Sequence, residues 1–379
     1  MFEQFDLDSA LLGGVENAGF KKPTSIQELV LPVAMAGKDV LASAPTGTGK
    51  TAAFILPAAQ HLLDYPRKSP GFPRVLILSP TRELAIQTHE QCEKLTALTK
   101  IKSAVITGGV NYGSHNDILT STTDILVATP GRLLEYIENE QFDAREIEIL
   151  VLDEADRMLD MGFIPQVKQI VRSTPDKENR QTLLFSATFT QDVINLSQQW
   201  TLNAGEVEIK PDSVATDTVK QLFYMVSDSE KLEILGRLVK QDDIKHCIIF
   251  ANRRDQCQWL FKRLQRAGVP VEVLTGEVAQ NKRTKTLADF KSGKIRFLIA
   301  TDVVGRGIHI DGITHVINFN LPQESENYVH RIGRTGRAGA SGTSISLIGE
   351  EDAYEVAELE GLLGKKISME LPPAELFEA

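Results

Sequence analysis

Cysteine is scarce in this chain. Three stand in 379 residues, Cys92, Cys247 and Cys257, forming neither an even disulfide framework nor a CxxC pair, so they are expected to be reduced and structural. Aromatic residues are also few, at 6% with two tryptophans. No window reaches the apolar length that spans a bilayer. The opening MFEQFDLDSA has neither the basic nor the apolar stretch of a signal peptide, and a cytoplasmic setting is expected. Basic charge is in deficit, with 41 Lys and Arg against 51 Asp and Glu, for a net charge of −10. That balance argues against strong unspecific attraction to a polyanion. Any grip on phosphates has to come from local arginines and backbone amides. The closing GLLGKKISMELPPAELFEA has no arginine-rich or low-complexity extension. His61, His89, His115, His246 and His315 show no metal-ligand spacing, so a zinc site is not expected.

What is present is a globular composition, 42% hydrophobic and 24% charged, in a chain long enough for two domains with a core each. Apolar runs rich in Val, Ile and Leu predict buried strands at Asp39–Ala44, Arg74–Pro80, Asp124–Pro130, Glu146–Asp153 and Gln181–Thr188. Amphipathic stretches such as Arg82–Leu98 lie between them. This βαβ rhythm implies α/β architecture with a parallel sheet covered by helices. It breaks at the polar Gly205–Thr218, then restarts with Cys247–Asn252, Val271–Gly276, Ile295–Asp302, His315–Asn320 and Thr343–Ile348. A linker is expected around Lys210–Asp217, dividing the chain into residues 1–210 and 211–379.

The sharpest local motif is APTGTGKT, Ala44 to Thr51, between a predicted strand and a predicted helix. Backbone amides of Thr46, Gly47, Thr48 and Gly49 can wrap phosphates there, aided by the positive end of the following helix. Lys50 would reach the outer phosphates and the Thr51 hydroxyl would sit on Mg²⁺. A plain glycine turn is the bland alternative, and the strand–loop–helix context disfavours it. The second motif is VLDEAD, which ends at Asp156 and places its acids at the carboxyl edge of a sheet, where ligands bind. Asp153 suits Mg²⁺, and Glu154 suits the general base that polarises an attacking water. In isolation such a run is more often a solvated helix start.

DEAD at 153–156 is the signature of the DEAD-box RNA helicases, and the chain resembles that family over nearly all its length. GFKKPTSIQ (Gly19–Gln27) resembles the adenine-reading Q motif. The resemblance implies that Gln27 bonds the adenine edge, with Phe2 stacking on the base and Phe20 beside it. PTREL (Pro80–Leu84), Gly108–Gly109 and TPGR (Thr129–Arg132) are similar to RNA-contacting motifs. SAT (Ser186–Thr188) is similar to the motif that couples nucleotide state to RNA grip, which implies coupling roles for Asp156, Ser186 and Thr188. In the second half, IIFAN (Ile248–Asn252), QNKR (Gln280–Arg283), ATDVVGRGIHI (Ala300–Ile310) and HRIGRTGR (His330–Arg337) complete the series. Two departures stand out. His309 replaces the usual Asp in the segment that meets the ribose, and Val304–Gly305 replaces two alanines, with Gly305 an expected nucleotide contact. MLDMGF and TAAFILPAAQHLLDYPRK are similar to a bacterial ribosome-assembly branch of the SrmB type, whereas HIDGITHV is closer to a branch associated with RNA degradation.

Two tandem RecA-like domains follow from that resemblance, each a parallel β-sheet flanked by helices. Arg334 and Arg337 would meet the γ-phosphate, as arginine fingers do elsewhere. The three arginines of HRIGRTGR, set among glycines, carry little expected packing value and match phosphate geometry. Arg82, Gly109, Thr129, Arg132, Arg283 and Thr301 are residue types suited to backbone contact rather than base readout. Each alone serves as well for a loop cap or a core position; the set points to RNA held largely without regard to sequence, with 2′-hydroxyls marking it from DNA. The implied activity is RNA-stimulated hydrolysis of ATP, with Mg²⁺, coupled to local unwinding or remodelling of RNA, ribosomal precursors included, by a monomer. An ATP-gated clamp with little unwinding uses the same motifs and stays open. A P-loop ATPase or kinase without nucleic acid is disfavoured by the Q motif, the second α/β half and Arg331–Arg337.

Overall fold

The structure is a computed structural model that describes residues 1–44, 47–109, 122–209, 219–276, 278, 280–302, 310, 312–336 and 341–376. Thr46, Gly305, His309, Arg337 and the expected linker around residues 210–217 lie outside these. The chain divides into two compact units, Met1–Pro211 and Asp212–Ala379, and each is described by itself.

Unit 1 carries β1 (Val40–Ser43), β2 (Val75–Leu78), β3 (Ser103–Ile106), β4 (Ile125–Ala128), β5 (Ile149–Leu152), β6 (Gln181–Ser186) and β7 (Gly205–Glu208), arranged β3-β4-β2-β5-β6-β1-β7. Every pairing is parallel, with Val75 opposite Ile125 on one side and Ile149 on the other. The central strands are apolar at every position because both faces are covered. Val75 and Ile77 point into one core layer, Leu76 and Leu78 into the other. Unit 2 repeats the plan with β8 (Val219–Met225), β9 (Cys247–Phe250), β10 (Val271–Leu274), β11 (Phe297–Ala300), β12 (His315–Asn318), β13 (Gly342–Ile348) and β14 (Met369–Glu370), arranged β10-β11-β9-β12-β13-β8-β14. Cys247 and Ile249 face one layer, Ile248 and Phe250 the other.

Each predicted run contains a strand, the ends trimmed by a few residues where the backbone turns into a functional loop. Four strands escaped prediction: β3, β7, β8 and β14. The break expected from Gly205 is corrected, since Gly205–Glu208 pairs in register with Val40–Ser43. These strands lie at or near sheet edges, where one face or side meets water, so their patterns are interrupted; in β7 only Val207 is buried. All three cysteines are buried and free, and burial pushes their thiols up. None is a reactive thiolate. Among the described residues no helix is long and apolar enough to cross a membrane.

Candidate active site

In unit 1 the sequence motifs converge on the carboxyl ends of parallel strands. APTGTGKT follows β1, PTREL follows β2, TPGR follows β4, DEAD follows β5, and SAT closes β6. A doubly wound sheet binds ligands at this edge, because helix amino termini open there.

The glycine loop enters the helix Lys50–Asp64, capped by Gly49 in the left-handed region at φ 95°. A side chain at Gly49 is doubly excluded: its Cβ would lie 2.5 Å from Gln27 Nε2 and 3.0 Å from Thr24 Oγ1. Gln27 is buried, its Nε2 donating to the Gly49 carbonyl at 3.0 Å and its Oε1 accepting from the Thr24 amide at 3.0 Å. The Q motif is therefore bolted to the phosphate loop. Lys50 is 6% exposed, and its Nζ donates to the Ala44 carbonyl at 2.5 Å. Thr51, in the first turn, is half-buried. Phe2 sits in the core, its ring 6.2 Å from Phe5 and 6.5 Å from Phe20, and Phe20 is the more accessible of the pair of predicted aromatics.

Asp153 and Asp156 both feel the Lys50 ammonium, and Glu154 repels each of them. Burial, and then repulsion from Glu154, pushes the Asp153 carboxyl up to about 7 against the pull of Lys50. Burial likewise raises Asp156, with Lys50 opposing. Glu154 holds φ 54°, a backbone state costly for a side-chain-bearing residue and concentrated at functional positions. Its Oε2 accepts from buried Arg157 Nη1 at 3.2 Å. Asp156 Oδ2 accepts from the Ala187 amide at 3.3 Å, and Ser43 Oγ donates to the Ala187 carbonyl at 3.2 Å. Ser186 Oγ accepts from the Thr188 amide at 3.4 Å. The SAT segment thus touches both the acidic motif and β1.

A second cluster joins three motifs. The Arg82 guanidinium lies against Gly108 and Gly109; a Cβ on Gly109, whose φ is 72°, would come within 2.0 Å of Arg82 Nη1. The Gly108 amide donates to Thr129 Oγ1 at 3.3 Å, and one turn on, Arg132 pairs with Glu135 at 3.1 Å.

In unit 2, Thr301 is buried just past β11 and Arg283 is half-buried on the helix Gln280–Lys291. Arg334 is 2% exposed, its Nε donating to the His330 carbonyl at 3.0 Å. Arg331 corrects the expectation that these arginines pack little. It is 1% exposed and grips Asp302 through Nε at 2.5 Å and Nη2 at 2.7 Å. It also donates to Asn252 Oδ1 at 2.7 Å and the Asn320 carbonyl at 2.6 Å, with its guanidinium 5.2 Å from the Phe250 ring centroid. Three motifs of this half are fastened through one side chain. Sequence reasoning missed Arg331, Asp302 and Arg157 as structural partners, because their pairings span motifs. The Thr24–Gln27 capping box was legible as T-x-x-Q before an apolar helix.

The model of the DEAD/DEAH box helicases matches residues 24–196, and that of the helicase conserved C-terminal domain matches residues 230–339. An ATP-dependent RNA helicase RhlB of Pseudomonas aeruginosa is 50% identical over all of this chain and 96% of its own length. This chain belongs to the DEAD/DEAH box helicases. An ATP-dependent RNA helicase SrmB of Haemophilus influenzae is 46% identical over 93% of the chain and 80% of its own length. Among solved structures, S. cerevisiae Dbp5 bound to RNA and ADP BeF3 superposes with a TM-score of 0.86 at 31% identity, covering 98% of this chain and 95% of that one. Mss116p bound to ssRNA and AMP-PNP superposes with a TM-score of 0.84 at 29% identity, covering 99% of this chain and 79% of that one. The helicase is an ATP-dependent RNA helicase of DEAD-box type, with ATP as substrate and RNA as ligand, and its two parallel sheets are those of the RecA-like pair.

Proposed function

We propose that this helicase couples each ATP hydrolysed to local strand separation or remodelling of structured RNA. The observation that carries this reading is the convergence of the phosphate loop, Q motif, acidic motif and SAT segment on one strand edge, with Asp156 hydrogen-bonded into SAT. Lys50 and the loop amides hold the phosphates, Gln27 reads the adenine with Phe2 and Phe20 beside the base, and Thr46 completes the cradle. Thr51 and Asp153 fit Mg²⁺: a hydroxyl in the first turn of the helix and a buried carboxylate beside Glu154 are the oxygen donors the ion prefers. Bound there, the ion would neutralise phosphate charge. Glu154 takes the proton of the attacking water, while Arg334 and Arg337 meet the charge developing on the γ-phosphate, and Gly305 lies by the nucleotide. Arg82, Gly109, Thr129, Arg132, Arg283 and Thr301 take the RNA backbone without base readout. Asp156, Ser186 and Thr188 couple the two ligands. The protein acts as a cytoplasmic monomer with domains 1–210 and 211–379. The resemblance of MLDMGF and TAAFILPAAQHLLDYPRK to the SrmB type puts ribosomal precursors among its proposed substrates.

The deciding experiment measures ATP turnover with RNA, with DNA and with neither, alongside duplexes separated per ATP. RNA-specific stimulation with separation supports the reading; ATP-dependent RNA retention without separation leaves a clamp. Because the nucleotide motifs and Arg334 belong to different units, a truncated chain ending at Pro211 should bind nucleotide weakly and show no RNA-stimulated hydrolysis. Full stimulated turnover by that half would refute the two-unit mechanism.

A further inference from the structure

Trp259 is 41% exposed, whereas the other tryptophan, Trp200, is 6% exposed in the core of unit 1. Trp259 stands on the helix Arg254–Arg266 and leans on Phe319, ring centroids 6.5 Å apart at 60°. The Arg263 guanidinium lies 5.9 Å from its ring centroid. Helical spacing puts Lys262, Arg263 and Arg266 on the same face as Trp259, and all three are exposed. Arg253, just before the helix, is exposed and pairs with Asp255 at 3.3 Å. This is a basic face on a chain whose net charge is −10.

An exposed Trp beside an Arg also occurs in protein interfaces, but Lys262, Arg263 and Arg266 break up the apolar surface of this helix face, which an interface core needs contiguous and poor in charge. The indole suits a nucleobase, which stacks on the ring while the cations take flanking phosphates. The position agrees. The helix starts two residues past Asn252, and Phe319 lies between Asn318 and Asn320, both of which accept from Arg331. Trp259 is thus one side-chain contact from the strand edge that holds Asn252 and Thr301. The backbone-contact residues include no aromatic, so a stacking group would add what they lack.

We propose that Trp259, with Lys262 and Arg263, is a stacking site for a base of single-stranded RNA running beyond the backbone-contact residues. The inference rests on the RNA-binding activity of the helicase. Test it on the full chain with oligouridylates of graded length and a non-hydrolysable ATP analogue, reading affinity and iodide quenching of tryptophan. Long RNA should shield the indole. Trp259→Ala should weaken long RNA roughly tenfold, the scale of one stacked base, and leave affinity for the shortest stimulating RNA unchanged. Trp259→Phe should restore most of the loss. Lys262→Ala and Arg263→Ala should each lower the salt slope for long RNA by about one. An unchanged length dependence in Trp259→Ala, an indole indifferent to RNA, or equal weakening of short and long RNA would each overturn the stacking site. Loss of a protein partner with RNA binding intact would overturn it in favour of a protein surface. Failure of RNA to stimulate the parent's ATPase would instead count against the helicase reading itself.

Discussion

Gln27 Nε2 donates to the Gly49 carbonyl of the phosphate loop while its Oε1 accepts from the Thr24 amide, each at 3.0 Å, leaving one N–H and one lone pair of the side-chain amide for the adenine edge. Gln27→Ala removes both bonds. The helix Ser25–Met35 loses its capping box, worth about 1 kcal/mol, and the loop loses a tether next to the nucleotide. We expect weaker ATP binding and a smaller preference for ATP over GTP, with the fold retained. Gln27→Glu keeps an acceptor for Thr24 but has no N–H for Gly49, so it should lose nucleotide affinity with less loss of stability. Titration with both nucleotides and thermal melts separate these effects. Equal use of ATP and GTP by the parent would count against adenine reading.

Glu154→Gln should bind ATP and RNA together and turn over slowly, by a factor of about 10² or more. Lys50→Ala should instead lose tight ATP binding, since the phosphates lose the one buried ammonium of the loop. Single-turnover hydrolysis and equilibrium binding distinguish the two. A parental rate in Glu154→Gln would remove it from the role of base.

Gly109→Ala forces the Arg82 guanidinium away, because the added Cβ would overlap Nη1. ATP binding without RNA should persist, and RNA stimulation should fall steeply. Arg82→Ala should impair RNA stimulation too, and the double variant should cost less than the sum, since both act on one contact.

Arg331 and Arg334 stand three residues apart and should fail differently. Arg331→Met leaves Asp302 without its bidentate partner and should destabilise unit 2 by about 3 kcal/mol, visible in melting. Arg334→Ala removes a hydrogen bond to a carbonyl, whereas Arg331→Met strands the Asp302 carboxylate. It should therefore melt closer to the parent than Arg331→Met, yet lose about 10³–10⁵ in turnover as a finger, with ATP binding mostly kept. Parental turnover in a well-folded Arg334→Ala would exclude that role.

Acid should reveal the bond at the opposite edge of unit 1. Arg74 Nε and Nη2 hold both oxygens of Glu148 at 2.7 Å. Burial alone would raise Glu148, but the hydrogen bonds from Arg74 and His61 outweigh it and keep its carboxyl below the usual glutamate value of 4.5. A depressed carboxyl stabilises the fold above its unfolded pKa and loses that contribution as pH falls through the folded one. The stability gap between parent and Arg74→Met should therefore be full near neutrality and shrink below pH 4.5. Denaturant melts across that range measure it, and a pH-independent gap would show that packing alone is lost.

The sequence disclosed most of the central strands and the unit 1 motif loops because both depend on short-range signals. Val75–Leu78 is apolar throughout, and the glycines of TGTGK mark a turn. Edge strands such as Gly205–Glu208 could not be read, since one buried side chain, Val207, leaves no period. The packing of Arg331 is hidden for a different reason: its partners Asn252, Asp302, Asn318 and Asn320 lie 11 to 79 residues away along the chain, and only folding brings these four residues to one guanidinium. The Gln27–Gly49 bond is hidden likewise, because it joins two motifs 22 residues apart.

The placement of β1 between β6 and β7 has a consequence for biosynthesis. Asp39, the residue before β1, is buried and accepts from the amides of Thr182 and Leu202, the first of them 143 residues further along. At roughly 5–20 residues per second, the ribosome needs on the order of 7–30 s to deliver that partner. Throughout that interval the nascent phosphate loop hangs from a strand with no neighbours on either side. ATP cannot serve as a folding ligand for the emerging chain, and the growing polypeptide must keep its apolar strands from wrong pairings until Thr182 has cleared the exit tunnel.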